Sequence, residues 1–183
     1  MSSLIILDLE TTGLEPERGE ILELAMIALE YGTLREIAAV STCLSVSSGV
    51  WGRCEEKVYA MHITSGLKDD VWGPRSKLAF EHGGWPTPAQ LEGPAVAWLQ
   101  QVGGIKSPLG GYNPSFDRGW LKRHMPQLEM AFHYRSLDVN FCHVLREVIT
   151  QAQGEKKNVT HRALDDCRHA AQALRNFLGA NPG

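Results

Sequence analysis

Three strand-patterned segments lead this chain before any strong helical period begins, and their order restricts the fold more than any other feature. Leu4 to Leu9 is a mostly apolar run ended by acids and Thr-Thr-Gly, which predicts a short, mostly buried strand. Ile21 to Glu30 and Leu34 to Val46 predict two further strands, joined by a turn at Tyr31-Gly32-Thr33; the first of these also carries a helical pattern. Thr87 to Gly103 then spaces Leu91, Ala95, Trp98, Leu99 and Val102 by threes and fours, an amphipathic helix. Leu109 to Tyr112 reads as a short strand or loop. Phe116 to His124 reads as a short helix stopped near Pro126, and Ser115 as its N-cap. Tyr134 to Val139 predicts a strand and Asn140 to Ala152 a helix. The last helix runs from about Arg162 to Leu178, with Leu164, Cys167, Ala171, Leu174 and Leu178 in one stripe. Leading strands followed by alternating helix and strand predict an α/β fold, a mixed sheet with helices on its faces.

The intervening segments lack such patterns. Residues 47–60 read as irregular, and Gln153 to Asn158 as a polar loop. Residues 68–89 are rich in Gly, Pro and Trp and read as a long surface excursion, with Trp72 and Trp85 either packing the loop or offering faces for base stacking. A length of 183 residues suits one α/β domain over 1–183. No apolar run has the length of a membrane span, and Met1 to Asp8 lacks the basic start of a signal peptide. A cytoplasmic address is the default expectation. Cys43, Cys54, Cys142 and Cys167 have no close metal-binding spacing and read as free thiols. The net charge of −3 argues against broad electrostatic gripping of long nucleic acid, but not against holding a few nucleotides.

The chemistry is concentrated in three places. Asp8 and Glu10 lie two apart on a predicted strand, so both carboxylates point to one face. Two such acids repel unless a cation sits between them; otherwise they are a solvated pair at a strand terminus. Thr11-Thr12-Gly13-Leu14 follows, offering hydroxyls, amides and a tight turn to a terminal nucleotide, with Leu14 to wedge a base. Asn113-Pro114-Ser115-Phe116-Asp117 places Asp117 in a first helical turn, where it either serves the site or complements the helix dipole. His161 and Asp166 are five apart and share no helical face, but a histidine at or before the helix start can swing toward the cleft of Asp166. Asp165 is the rival acid. Several carboxylates and a neutral imidazole are what metal-assisted phosphodiester hydrolysis needs.

These residues resemble a known group. Asp8-Leu9-Glu10-Thr11-Thr12-Gly13, Asn113…Phe116-Asp117 and His161…Asp166 are similar to the three motifs of the DEDDh 3′→5′ exonucleases, in the same order across nearly the whole chain. Met61-His62-Ile63-Thr64-Ser65-Gly66-Leu67 and Phe132-His133-Tyr134-Arg135-Ser136-Leu137-Asp138-Val139 resemble its oligoribonuclease branch. The resemblance implies an RNase H-like fold. It implies that Asp8, Glu10, Asp117 and Asp166 bind two divalent ions, Mg2+ or Mn2+, with His161 as general base. It implies that Leu14 and His62 hold 3′-terminal nucleotides. Tyr134 and Arg135 would reach the substrate's 5′ end from the partner subunit of a homodimer, an Arg fork suiting a phosphate. Short single-stranded RNA is the expected substrate, single-stranded DNA the alternative, and a non-catalytic binding module the third reading. The chain departs from the branch pattern where Asn113 replaces a serine, where His143 stands near an expected lysine, and where a tryptophan ahead of His62 is replaced.

Overall fold

A computed structural model of the chain describes residues 2–73, 84–150 and 160–179. β1 (Ser3–Thr11), β2 (Ile21–Glu30) and β3 (Glu36–Cys43) form an antiparallel meander. β4 (Pro108–Gly111) pairs parallel to β1, and β5 (His133–Asp138) parallel to β4. Among the described residues these make one mixed five-stranded sheet, ordered β3-β2-β1-β4-β5. The helices are α1 (Val50–Arg53), α2 (Glu56–Thr64), α3 (Leu67–Trp72), α4 (Pro88–Gln101), α5 (Pro114–His124), α6 (Pro126–Ala131), α7 (Val139–Thr150) and α8 (Ala163–Leu178).

The pleat of β1 sorts its side chains into two cores. Ile5, Leu7 and Leu9 pack with Ala95 and Leu99 of α4, Trp120 of α5 and Leu128 of α6. Leu4 and Ile6 pack on the opposite face with Val139 of α7 and with Ala163, Cys167, Ala171 and Leu174 of α8. Alternation therefore sends Asp8 and Glu10 to the α8 side of the sheet. Covered on both faces, β2 has no polar side, which is why its sequence also fitted a helical pattern. β3 alternates half-buried and exposed positions, as an edge strand with one wet face does. Gly110 permits the close approach of β4 to β1, since a Cβ there would lie 2.6 Å from Ile6 Cδ1.

Several local expectations are corrected. Residues 47–60 are not irregular throughout, because α1 and most of α2 fall within them. α2 buries His62 and shows no apolar stripe, so periodicity had nothing to register. The 68–89 excursion begins inside α3, whose Leu67 and Val71 pack with Leu22 and Cys43. Trp85 packs against that cluster and donates from Nε1 to the Asp70 carbonyl at 3.1 Å. Trp72 is half exposed. Ser115 is not a cap: α5 starts two residues earlier than expected, at Pro114, with Asn113 as N-cap. Proline's fixed φ and missing N–H suit the first helical position. Pro126 likewise opens α6 as well as ending α5. The third strand is shorter than Leu34 to Val46. Residues 74–83 of the excursion, residues 151 and 152 of the expected helix, and the expected loop over 153–158 lie outside the described residues.

Candidate active site

The site forms at the carboxyl end of β1, the usual place for ligands beside parallel strands. β4 pairs with β1 at Ile5 and Ile6, ahead of the later amides of the strand. Asp117, 2% exposed in the first turn of α5, takes one of them: its Oδ1 accepts from Leu9 N–H at 3.0 Å. On the other side of β1, Glu10 lies directly across from Glu23 of β2, so both side chains share a face with Asp8.

His161 precedes α8 in a left-handed conformation, φ 56°. For a residue with a Cβ such backbone costs about 1–3 kcal/mol and persists only where its surroundings hold it. Here Thr160 donates to Asp166 Oδ1 from its N–H at 3.1 Å and from its hydroxyl at 3.4 Å. That turn folds His161 back over the first turn of α8. Glu10, His161 and Asp166 each bring one ligand atom within 4.8 Å of the others, an arrangement that can hold a metal ion.

The electrostatics agree with the geometry. Burial pushes the Glu10 carboxyl up to about 8, with Asp166, Glu23 and Asp117 adding to the shift and Arg162 opposing it. An acid so placed gives up its proton readily only when a cation takes up the charge. The donor set is oxygen-rich with one imidazole, which suits a hard divalent ion. Cys167 lies beneath the site, its Sγ 3.6 Å from the Ala25 carbonyl. Burial, then Asp8, Asp117 and Asp166, holds its thiol well above the ordinary value, so it is packing rather than nucleophile.

The other sequence-selected residues differ in burial and in partners. Thr11 and Thr12 are buried and locally committed: Thr11 Oγ1 donates to Gly13 O at 2.9 Å, and Thr12 Oγ1 accepts from Glu20 N–H at 2.9 Å. Leu14 projects beyond them, 69% exposed, at the rim of a cavity of about 200 Å³ shared with Gly13, Arg18, Arg53 and Glu55. His62 is fully buried. Its Nε2 lies 2.8 Å from the Thr11 carbonyl, which requires the proton on Nε2 and turns the Nδ1 lone pair toward Glu10 Oε2, 3.8 Å away. Burial lowers its pKa and favours that neutral form. A larger cavity, about 440 Å³, opens between α2 and the His161 turn, lined by Lys57, Ala60, Met61, Thr64, Ser65, Thr160 and His161.

Tyr134 and Arg135 lie on β5, and Asn113 is tied to the end of that strand. Asn113 is exposed, and its N–H donates to Asp138 Oδ1 at 3.2 Å. The same oxygen accepts from Asn140 N–H at 2.9 Å, so Asp138 caps the start of α7. Tyr134 is 76% exposed, with the Arg135 guanidinium 5.4 Å from its ring centroid. Both stand on the sheet's edge strand.

Sequence reasoning missed four residues that build this arrangement: Glu23, Arg162, Thr160 and Arg118. Arg118 is buried and ties α5 to α6 and β5, through Glu129 Oε1 at 2.6 Å, Ser136 Oγ at 2.8 Å and the His133 and Arg135 carbonyls. The available signal was Glu23 itself, a charge inside an apolar strand, which calls for a partner.

Known proteins of this shape share the arrangement of strands. Escherichia coli exonuclease I bound to a dT13 oligonucleotide superposes with a TM-score of 0.65 at 14% identity, covering 100% of this chain and 42% of that one. Cell-death related nuclease 4 superposes at 0.70 with 12% identity, over 98% of this chain and 64% of that one. This chain thus spans less than half of exonuclease I. At these identities the likeness is one of fold alone. No family model matches the chain. It is, however, 36% identical to the oligoribonuclease of Pseudomonas putida, over 96% of this chain and 93% of that protein. Against the oligoribonuclease of Klebsiella pneumoniae the identity is 33%, over 94% and 92%. The chain belongs to the oligoribonuclease family.

Proposed function

We propose that this protein is a 3′→5′ exonuclease that releases nucleoside 5′-monophosphates from short single-stranded RNA. The convergence of Glu10, His161 and Asp166 at the end of β1 carries the reading, supported by full-length relatedness to oligoribonucleases. Asp8, Glu10, Asp117 and Asp166 would hold two divalent cations, magnesium or manganese. Bound there, such ions supply Lewis acidity toward phosphoryl oxygens and balance the carboxylates. His161 takes the proton of the attacking water, its imidazole aimed by the left-handed turn. Leu14 and the Gly13 backbone border the terminal nucleotide. His62 supports them from below by tying α2 to the Thr11 carbonyl.

A homodimer completes the site in this reading. Phe141, Val144 and Val148 are exposed on α7, which directly follows the edge strand β5 that carries Tyr134 and Arg135. A second copy covering that face would deliver those two residues to the substrate's 5′ end, with Asn113 close by on the Asp138 side. No helix among the described residues is long and apolar enough to cross a membrane. Four free cysteines fit the reducing cytoplasm as the proposed compartment.

The test is a time course on 5′-labelled RNA and DNA oligomers of graded length, with magnesium, manganese or chelator, alongside Asp8→Ala and His161→Ala. Metal-dependent shortening from the 3′ end, fastest on RNA dimers and lost in both variants, is expected. Faster attack on DNA or long strands moves the protein to another branch of the exonucleases. Absence of cleavage with either metal leaves a binding module.

A further inference from the structure

Glu23 is buried beside the site along with Glu10, Asp117 and Asp166, and its surroundings differ from theirs. It is 3% exposed, and both oxygens are occupied. Oε1 accepts from Arg162 Nη2 at 3.1 Å and from Ser41 Oγ at 3.3 Å. Oε2 accepts from Arg162 Nε at 3.3 Å and from Ala163 N–H at 3.0 Å. A carboxylate bound bidentately by a guanidinium and by a backbone amide has little capacity left for a cation. Its role is therefore different from that of Glu10, although the two face each other across β1 and β2.

Arg162 spends its remaining nitrogen on a second acid. Nη1 lies 2.8 Å from Asp70 Oδ2 on α3. The guanidinium is thus clamped between the sheet and α3. It is also the residue immediately after His161, and Ala163 immediately after it is pinned to Glu23 as well. α8 has no capping side chain of its own at Arg162; Glu23, far away in sequence, takes the first-turn amide instead. The strained φ of His161 is held on one side by Thr160 on Asp166 and on the other by this clamp.

We infer that the Asp70–Arg162–Glu23 clamp is a positioning device that sets the aim of His161 in the hydrolytic step. Glu23, Arg162 and Asp70 act through His161. The inference rests on the proposed role of His161 as general base. It also joins catalysis to the segment that α3 begins, since Asp70 anchors the clamp from there.

The experiment compares Asp70→Asn, Glu23→Gln and His161→Ala, singly and as the double variants with His161→Ala, measuring kcat and KM on a short RNA with saturating manganese. Asp70→Asn is the central variant, because Asp70 lies outside the proposed metal set and its loss leaves the sheet intact. The expected result is a fall in kcat of about ten- to a hundredfold with KM within about twofold, as small misplacements of catalytic groups produce. Asp70→Glu should recover most of that rate. Within the His161→Ala background neither Asp70→Asn nor Glu23→Gln should lower the rate further. Wild-type kcat in Asp70→Asn would overturn the clamp, and so would losses that multiply with His161→Ala, which belong to an independent structural effect. If Glu23→Gln does not fold, Asp70→Asn decides alone. Wild-type activity in His161→Ala itself would refute the general-base reading, a result distinct from any failure of the clamp.

Discussion

Glu10 is 6% exposed among acids, so its charge and its shape have separable effects. Between the ordinary carboxylate value of 4.5 and about 8, the folded metal-free protein keeps a proton that the unfolded chain has released. More protons bound in the native state means that stability falls as pH rises through that window, and levels off above it. The melting temperature of metal-free protein should therefore decline across this range, and Glu10→Gln should flatten the decline while abolishing hydrolysis. A wild-type profile that rises there would refute the assignment. Cation binding near neutral pH should expel about one proton. Calorimetry in two buffers of different ionisation enthalpy would register it as a buffer-dependent heat. His161→Ala should lower kcat about 10²–10⁴-fold, the usual contribution of a positioned base.

At the scale of elements, the active site depends on how α5 and α8 meet β1. Trp120 anchors α5: it is fully buried, stacks on His124 at a centroid distance of 5.5 Å, and fits closely against Gly19, where a Cβ would lie 2.5 Å from its ring. Trp120→Ala should destabilise the protein by about 3–5 kcal/mol, read from denaturant unfolding. Asp117 is one turn earlier on the same helix, so catalysis should fall with it even under conditions where the variant stays folded. A variant as stable as wild type would show that the helix is held elsewhere. The elements that the sequence displayed clearly were those with one wet face or long apolar stripes, such as α4 and α8. Short α1, α2 and α3 were hidden, because four to nine residues with one or two buried positions carry no measurable period.

For the whole molecule, the exposed α7 stripe and the β5 edge set the expected assembly. Phe141 is 64% and Val148 71% exposed, an unusual display for a charged, water-facing helix. Placing glutamate at both, F141E with V148E, should yield monomers by sedimentation and slow cleavage of the shortest RNA most, since a partner's Tyr134 and Arg135 would no longer reach it. Wild-type sedimentation as a monomer would remove that trans contribution.

The order of three strands before alternating helix and strand was enough to predict the mixed sheet, because period-2 and period-3.6 patterns report which face of each element is apolar. Spacing alone also put Asp8 and Glu10 on one side of β1. What no local pattern contained was the closure of the site. Whether His161 met Asp166 depended on a left-handed residue held by Thr160. That Glu23 is paired with a guanidinium depended on Arg162 lying across it. The burial of His62 against Thr11 is likewise set by how α2 packs. Faces follow from the chemistry of neighbouring residues along the chain, whereas distances between residues far apart in sequence are fixed only when buried charges find their partners in the folded interior.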